Sequence, residues 1–191
     1  MSEFFKPLKN LCMFLNAVHV YTDEASKGQI RVVDSNHYCA HVRKDLRQCL
    51  IYDSPDADAR LIGVEYMIPY EKYIQLPPEE QKLWHSHDYE VHSGMLVVPS
   101  MSEKEEYEAM KEITTLYGKT WHFWQVDRGD DIPMGYPVLM GSLTQDGQVD
   151  LDETLAERNR KLNVDHHQKA DQRRDIPNHE IHPNADPWHK N

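Results

Sequence analysis

No long hydrophobic run occurs in this chain. Its apolar stretches are broken by His, Asp or Glu well short of the roughly 18 residues a membrane span needs. A basic surplus is also missing: 32 Asp and Glu against 21 Lys and Arg give a formal net charge of −11. That balance argues against a nucleic-acid partner, because phosphate binding needs a concentrated basic surface. It equally disfavours electrostatic docking on anionic lipid, while saying little about neutral lipid surfaces. Cysteine is scarce. Cys12, Cys39 and Cys49 are odd in number and lack a disulfide-rich spacing, which predicts free thiols in a reducing cytosol, or at most a ligand role for one. The opening Met-Ser-Glu-Phe-Phe-Lys lacks the basic and apolar regions of a secretory signal, so a cytoplasmic protein is expected. There is no nucleophile elbow, Walker loop, Gly-rich dinucleotide loop or kinase signature, which disfavours nucleotide enzymes.

What the chain does have is histidine at every second position in two short runs, His37-Tyr38-Cys39-Ala40-His41 and His85-Ser86-His87. Side chains alternate faces along a β-strand, so His37, Cys39 and His41 share one face, as do His85 and His87. Two such strands around a common interior could supply a zinc, iron or copper site; the alternative is core histidines hydrogen-bonded to backbone or carboxylates. Cys39 as a thiolate would favour zinc or copper(I), and as an inert thiol would be a small core residue.

The organisation along the chain predicts α+β: a mainly antiparallel sheet with inserted helices, a single compact domain with a polar C-terminal arm. Residues 1–151 would form the core, and residues 152–191 a C-terminal helix and packed-on arm of the same domain. Leu8, Leu11, Cys12, Leu15 and Val18 recur at helical spacing, predicting a helix over 6–22. A short strand is expected at Gln29–Val33. His37–Val42 and Leu46–Tyr52 read as a hairpin turned by Arg43-Lys44-Asp45, and Arg60–Ile68 as a strand with Gly63, Glu65 and Met67 on one face. Pro77–Trp84 starts like a helix, and His85–Val98 reads as extended with a break at Ser93-Gly94. Residues 102–116 carry a Ser102 N-cap, acidic first-turn residues and Gly118 as a stop. Strands are expected at Trp121–Val126 and Tyr136–Leu143, a surface helix at Leu151–Leu162, and a packed-on arm from Ile181 to Trp188.

Several single positions bear chemistry. A carboxylate in an apolar strand is rarely buried without a partner, so Glu65 is expected to meet a metal or an arginine, Arg60 or Arg47. Glu90 follows His85 and His87 but would face away in a regular strand, joining them only if the chain bulges or turns. His122 is a secondary ligand candidate. His19 reads as a helix C-terminal cap, and His166, His167, His179, His182 and His189 as solvent-exposed. Arg128, in Asp127-Arg128-Gly129-Asp130, is expected to fold onto Asp53 or Glu65 and could orient a ligand carboxylate there.

Read together, certain blocks resemble a known family. They include Asn16-Ala17-Val18-His19, Asn36-His37-Tyr38-Cys39-Ala40-His41, Arg47-Gln48-Cys49-Leu50-Ile51-Tyr52-Asp53-Ser54 and Leu83-Trp84-His85-Ser86-His87. Trp124-Gln125, Asp127-Arg128-Gly129-Asp130 and Ile181-His182-Pro183-Asn184-Ala185-Asp186 follow in the same order. From about residue 6 to residue 188 the chain is similar to the oil body-associated proteins. The resemblance implies peripheral association with lipid droplets, as for plant members named for seed oil bodies; fungal and bacterial relatives carry a label of unknown function. It transfers no catalytic residues.

Two functional readings follow. One is a metal-dependent enzyme acting on a small-molecule or lipid-like substrate. Its predicted ligands are His37, His85 and His87, completed by His41, Cys39, Glu65 or Glu90, and an open coordination position would activate water or dioxygen. The other is a non-catalytic, peripheral lipid-droplet protein with structural histidines. It lacks the strongly apolar amphipathic face that holds proteins on neutral lipid.

Overall fold

A computed structural model describes residues 3–188. After a short helix α1 (Lys6–Lys9), strand β1 runs Met13–Tyr21. A helical turn α2 (Thr22–Ala25) leads to β2 (Val32–Arg43), β3 (Leu46–Tyr52) and β4 (Leu61–Pro69). Helices α3 (Tyr70–Tyr73) and α4 (Pro78–Gln81) precede β5 (His85–Ser86), α5 (Asp88–His92) and α6 (Glu103–Ile113). Strands β6 (Leu116–His122) and β7 (Val138–Gly141) complete the sheet, and α7 (Leu151–Leu162) and α8 (His166–Gln172) follow.

The antiparallel sheet closes on itself. Strands pair in the order β1-β2-β3-β4-β6-β7, and β7 returns to β1, giving a six-stranded barrel with β5 lying beside β6. One lateral row of partners runs Met13, Cys39, Cys49, Glu65, Thr120, Met140, Tyr21. The circuit thus returns to β1 eight residues from where it began. That stagger comes from the strand tilt that closure requires. Odd-numbered residues of β1–β4 and even-numbered residues of β6 and β7 share the inward face, so His19, His37, Glu65 and His122 belong to the interior.

Closure abolishes two sheet edges but demands burial on both faces wherever helices cover the wall. This is why residues 13–21 form a strand and not the helix expected over 6–22. Seven consecutive residues, Leu15–Tyr21, are buried, and a strand buried on both sides shows no polar alternation to betray its period. The β2–β3 hairpin forms as expected, turning at Lys44-Asp45. Helix α6 also forms as its capping chemistry predicts: Ser102 and Glu105 make a reciprocal capping box. It ends at Ile113, however, and Gly118 lies inside β6.

The His85–Val98 segment forms a strand at His85–Ser86, turns into α5, and then bridges β1 through Val97 opposite Asn16. The polar stretch Asp165–Arg174 is mostly helical and carries a buried anchor. Arg173, 2% exposed, donates from Nη1 to the Val91 and Leu96 carbonyls at 3.0 and 2.8 Å and lies 3.2 Å from Glu106. The arm packs as expected: Ala185 is buried and Trp188 Nε1 donates to the Ser142 carbonyl at 3.1 Å. His189 falls outside the described residues. Among those described, no helix is long and apolar enough to cross a membrane.

Candidate metal centre

Three strands and one helix start deliver the site. His37 comes from the inward face of β2, Glu65 from β4, His85 from β5, and His87 from the N-cap of α5. All four are buried, Glu65 to 1% exposure. The Glu65 carboxylate lies among them: Oε2 is 3.2 Å from His37 Nε2, and Oε1 is 3.4 Å from both His85 Nε2 and His87 Nε2. The expected arginine partner is absent from this set, since Arg47 pairs with Glu112 and Arg60 with Asp53.

The outer ring nitrogens decide what the inner ones can do. His37 Nδ1 is 3.1 Å from the Ser35 carbonyl and His87 Nδ1 is 3.0 Å from the Leu116 carbonyl. A carbonyl only accepts, so each Nδ1 carries a proton and donates it. In the neutral ring, each Nε2 then presents a lone pair to the carboxylate. The three contacts to Glu65 are at ion-pair distance, yet they lack hydrogen-bond alignment. Both Glu65 oxygens and both His85 nitrogens are buried without a hydrogen-bond partner. Such convergence of acceptors requires a proton or a cation between them.

Burial opposes ionisation of Glu65, but its contacts with His37, His85 and His87 outweigh that and hold it well below the usual carboxylate range. Burial likewise opposes the charge on His87, yet Glu65, with Glu90 nearby, raises its pKa to about 9. His122 moves the other way, down to about 3, through burial and then His37. Burial, followed by His37 and His122, lowers His19 well below the ordinary value. Without a cation the cavity therefore holds an ionised Glu65, a protonated His87 and neutral His19 and His122.

Two interior histidines complete the group. His19, on β1, places Nε2 3.2 Å from His37 Nε2 and Nδ1 3.1 Å from His122 Nε2. His19 is not the helix cap that its expected helix implied. Once residues 13–21 are recognised as a strand, parity with Leu15 and Ala17 puts it inside. Glu90 lines the same cavity because α5 turns the chain immediately after His87, the departure from a regular strand that its position needs.

Glycine makes the room. A Cβ on Gly118 would overlap Glu65 Oε1 and stand 2.9 and 3.0 Å from the His87 and His85 rings. One on Gly63 would be 2.7 Å from His122 Cδ2 and 2.5 Å from the Trp121 carbonyl. The remaining space among these side chains is too small for an organic ligand. His85 also lines an outer cavity of about 240 Å3, beside Asp23, Lys82, Trp84 and Asn184.

Three expected site residues lie elsewhere. Cys39 is disulfide-bonded to Cys49, its direct cross-strand partner, with Cα atoms 4.0 Å apart. Its sulfur is therefore unavailable as a thiolate ligand, and the expectation of free thiols holds for Cys12 alone. His41 shares the face of His37 but is exposed. Four residues of strand span about 13 Å, far beyond one coordination shell. Arg128 pairs with Asp130 in its own turn at the surface, not with Asp53 or Glu65. Of the tail histidines, His166 is buried beside Asn159, while His167 and His179 are exposed and His182 is half-buried.

The family described as "Protein of unknown function (DUF1264)" matches residues 5–177. The chain is 40% identical to oil body-associated protein 1B of Arabidopsis thaliana over 185 residues, covering 96% of this chain and 75% of that protein. It is 42% identical to oil body-associated protein 1A of Zea mays over 185 residues, covering 95% and 75%. No solved structure matches it.

Proposed function

The chain belongs to the DUF1264 family, and from that premise we propose that its barrel interior binds a transition-metal ion through Glu65, His85, His87 and His37. One observation carries this reading. Three imidazole nitrogens stand 3.2–3.4 Å from a fully buried carboxylate without hydrogen-bond alignment. Metal–ligand bonds of about 2.0–2.1 Å in a tetrahedron separate neighbouring donors by about 3.3–3.4 Å. The carbonyls that fix Nδ1 of His37 and His87 act as the outer partners that ligating histidines ordinarily have. With Cys39 outside the set, imidazole and carboxylate suit zinc or iron, and the soft-ligand argument for copper(I) falls away.

A bound ion with an open position would supply Lewis-acid activation of water or dioxygen. On an enzymatic reading, Glu90 stands where a proton acceptor is needed, and the outer cavity reaching His85 is the approach for a small or lipid-like substrate. The test is metal analysis of protein purified without a histidine tag and dialysed after loading. At least one equivalent of zinc or iron, lost in Glu65→Gln and lowered in His85→Ala, is expected. Metal-free wild type after loading would end the metal reading.

A second reading has support of its own: peripheral association with lipid bodies, with the histidines structural. The relatives' names favour it, and so do Phe4 and Phe5, which are 95% and 49% exposed near the start of the chain. Flotation with phosphatidylcholine-coated triolein droplets tests it. Binding of wild type but not of Phe4→Ser with Phe5→Ser is the expected result, and no binding of wild type removes it.

A further inference from the structure

Glu65 turns its two oxygens toward different histidines. Oε1 faces His85 and His87, each at 3.4 Å, whereas Oε2 faces His37 at 3.2 Å. Behind His37 stands His19, with the two Nε2 atoms 3.2 Å apart. The donors therefore fall into two groups sharing one residue. His19, His37 and Glu65 form the first, Glu65, His85 and His87 the second, and within each the ligand atoms lie within 4.8 Å of one another.

We propose that the barrel holds two metal ions bridged by Glu65, one ligated by His19 and His37 and the other by His85 and His87. This rests on the metal-binding reading above and deepens it. A single ion taking Glu65, His37, His85 and His87 would occupy the His37 Nε2 lone pair that otherwise accepts a hydrogen bond from His19 Nε2, leaving that buried ring nitrogen without its partner. His37 Nδ1 donates to the Ser35 carbonyl, so its Nε2 is a lone pair pointing at a second buried ring nitrogen. An ion between the two nitrogens, in reach of Oε2, resolves that contact. It also gives the carboxylate one ion per oxygen, as in a bridged two-metal centre.

His122 fits as a positioning residue. Its Nε2 is 3.1 Å from His19 Nδ1, so it engages the outer nitrogen of His19 and leaves Nε2 turned inward, as carbonyls do for His37 and His87. The ligand class is a pair of borderline divalent cations such as Zn2+ or Co2+, since four of five side chains are imidazoles.

Tag-free full-length protein loaded with Co2+ and dialysed gives the test, read by metal analysis and by the visible absorption of the bound ion. Wild type should hold about two equivalents. His19→Asn and His85→Asn should each retain about one, and Glu65→Gln should fall below about a fifth of the wild-type content. Melting temperature checks that each variant folds, and the wild-type stoichiometry needs no variant at all. One equivalent in wild type overturns the bridged pair while leaving the metal-binding reading intact. No bound ion in wild type overturns both.

Discussion

Gly118 lies so close to Glu65 that a single added methyl would overlap the carboxylate oxygen Oε1. Its position on the inward face of β6, paired on one side with Met67 and on the other with His85, makes absence of a side chain the condition for the cluster to assemble.

Gly118→Ala should therefore destabilise the protein by about 1–3 kcal/mol, the usual range for overpacking a core. It should also weaken metal binding at least tenfold, since Glu65, His85 and His87 would all have to shift. Thermal melts and metal competition against a chelator check both effects. A variant melting like wild type with unchanged metal content would show that the interior is looser than these contacts require.

Metal-free protein should be most stable near pH 6.5. His87 has a raised folded pKa of about 9, so its stabilisation is complete below the unfolded value of about 6.5 and disappears as pH rises from there through 9. The lowered His19 and His122 act oppositely, because below about pH 6.5 the unfolded chain takes up protons that the folded chain refuses. Denaturant melts of wild type and His87→Gln across pH 5–9 measure this. The wild-type advantage should shrink between pH 6.5 and 9, and an advantage that grows over that range contradicts a protonated His87.

Reduction of Cys39–Cys49 should lower stability by up to about 2–3 kcal/mol, as expected for a bridge closing a short loop. It should leave the metal in place, because the sulfurs are not in the donor set. Melts with and without reductant, and metal analysis of Cys39→Ser, separate these effects. Metal loss on reduction alone would return sulfur to the coordination shell.

Arg173→Met should cost about 1–3 kcal/mol, because it leaves the buried Val91 and Leu96 carbonyls without their donor, while Glu106 keeps Lys169 and the Val98 N–H. Those carbonyls flank the turn after α5, so the change should also loosen Glu90. Hydrogen exchange over residues 88–98 would report it. Unchanged protection there would mean that the C-terminal segment merely covers the barrel without holding it.

Local pattern carried a good deal of this by itself. Alternation placed His37 on one strand face and His85 and His87 on another, the β2–β3 turn and the Ser102 N-cap followed from their residues, and the helix Leu151–Leu162 formed where it was expected. These features depend on neighbours within a few residues, which is the range over which backbone period, capping and turn chemistry act. Tertiary structure decided the rest. A barrel closes because β4 finds β6 and β7 finds β1, pairings between segments far apart in sequence, and only closure aims the inward faces at one point. Closure also buried β1 on both sides, hiding His19 in an apparently helical run. It set Cys39 directly opposite Cys49, and left His41 beyond reach although its parity was right. Parity specifies direction and says nothing of distance, and a metal site is decided within a few ångströms.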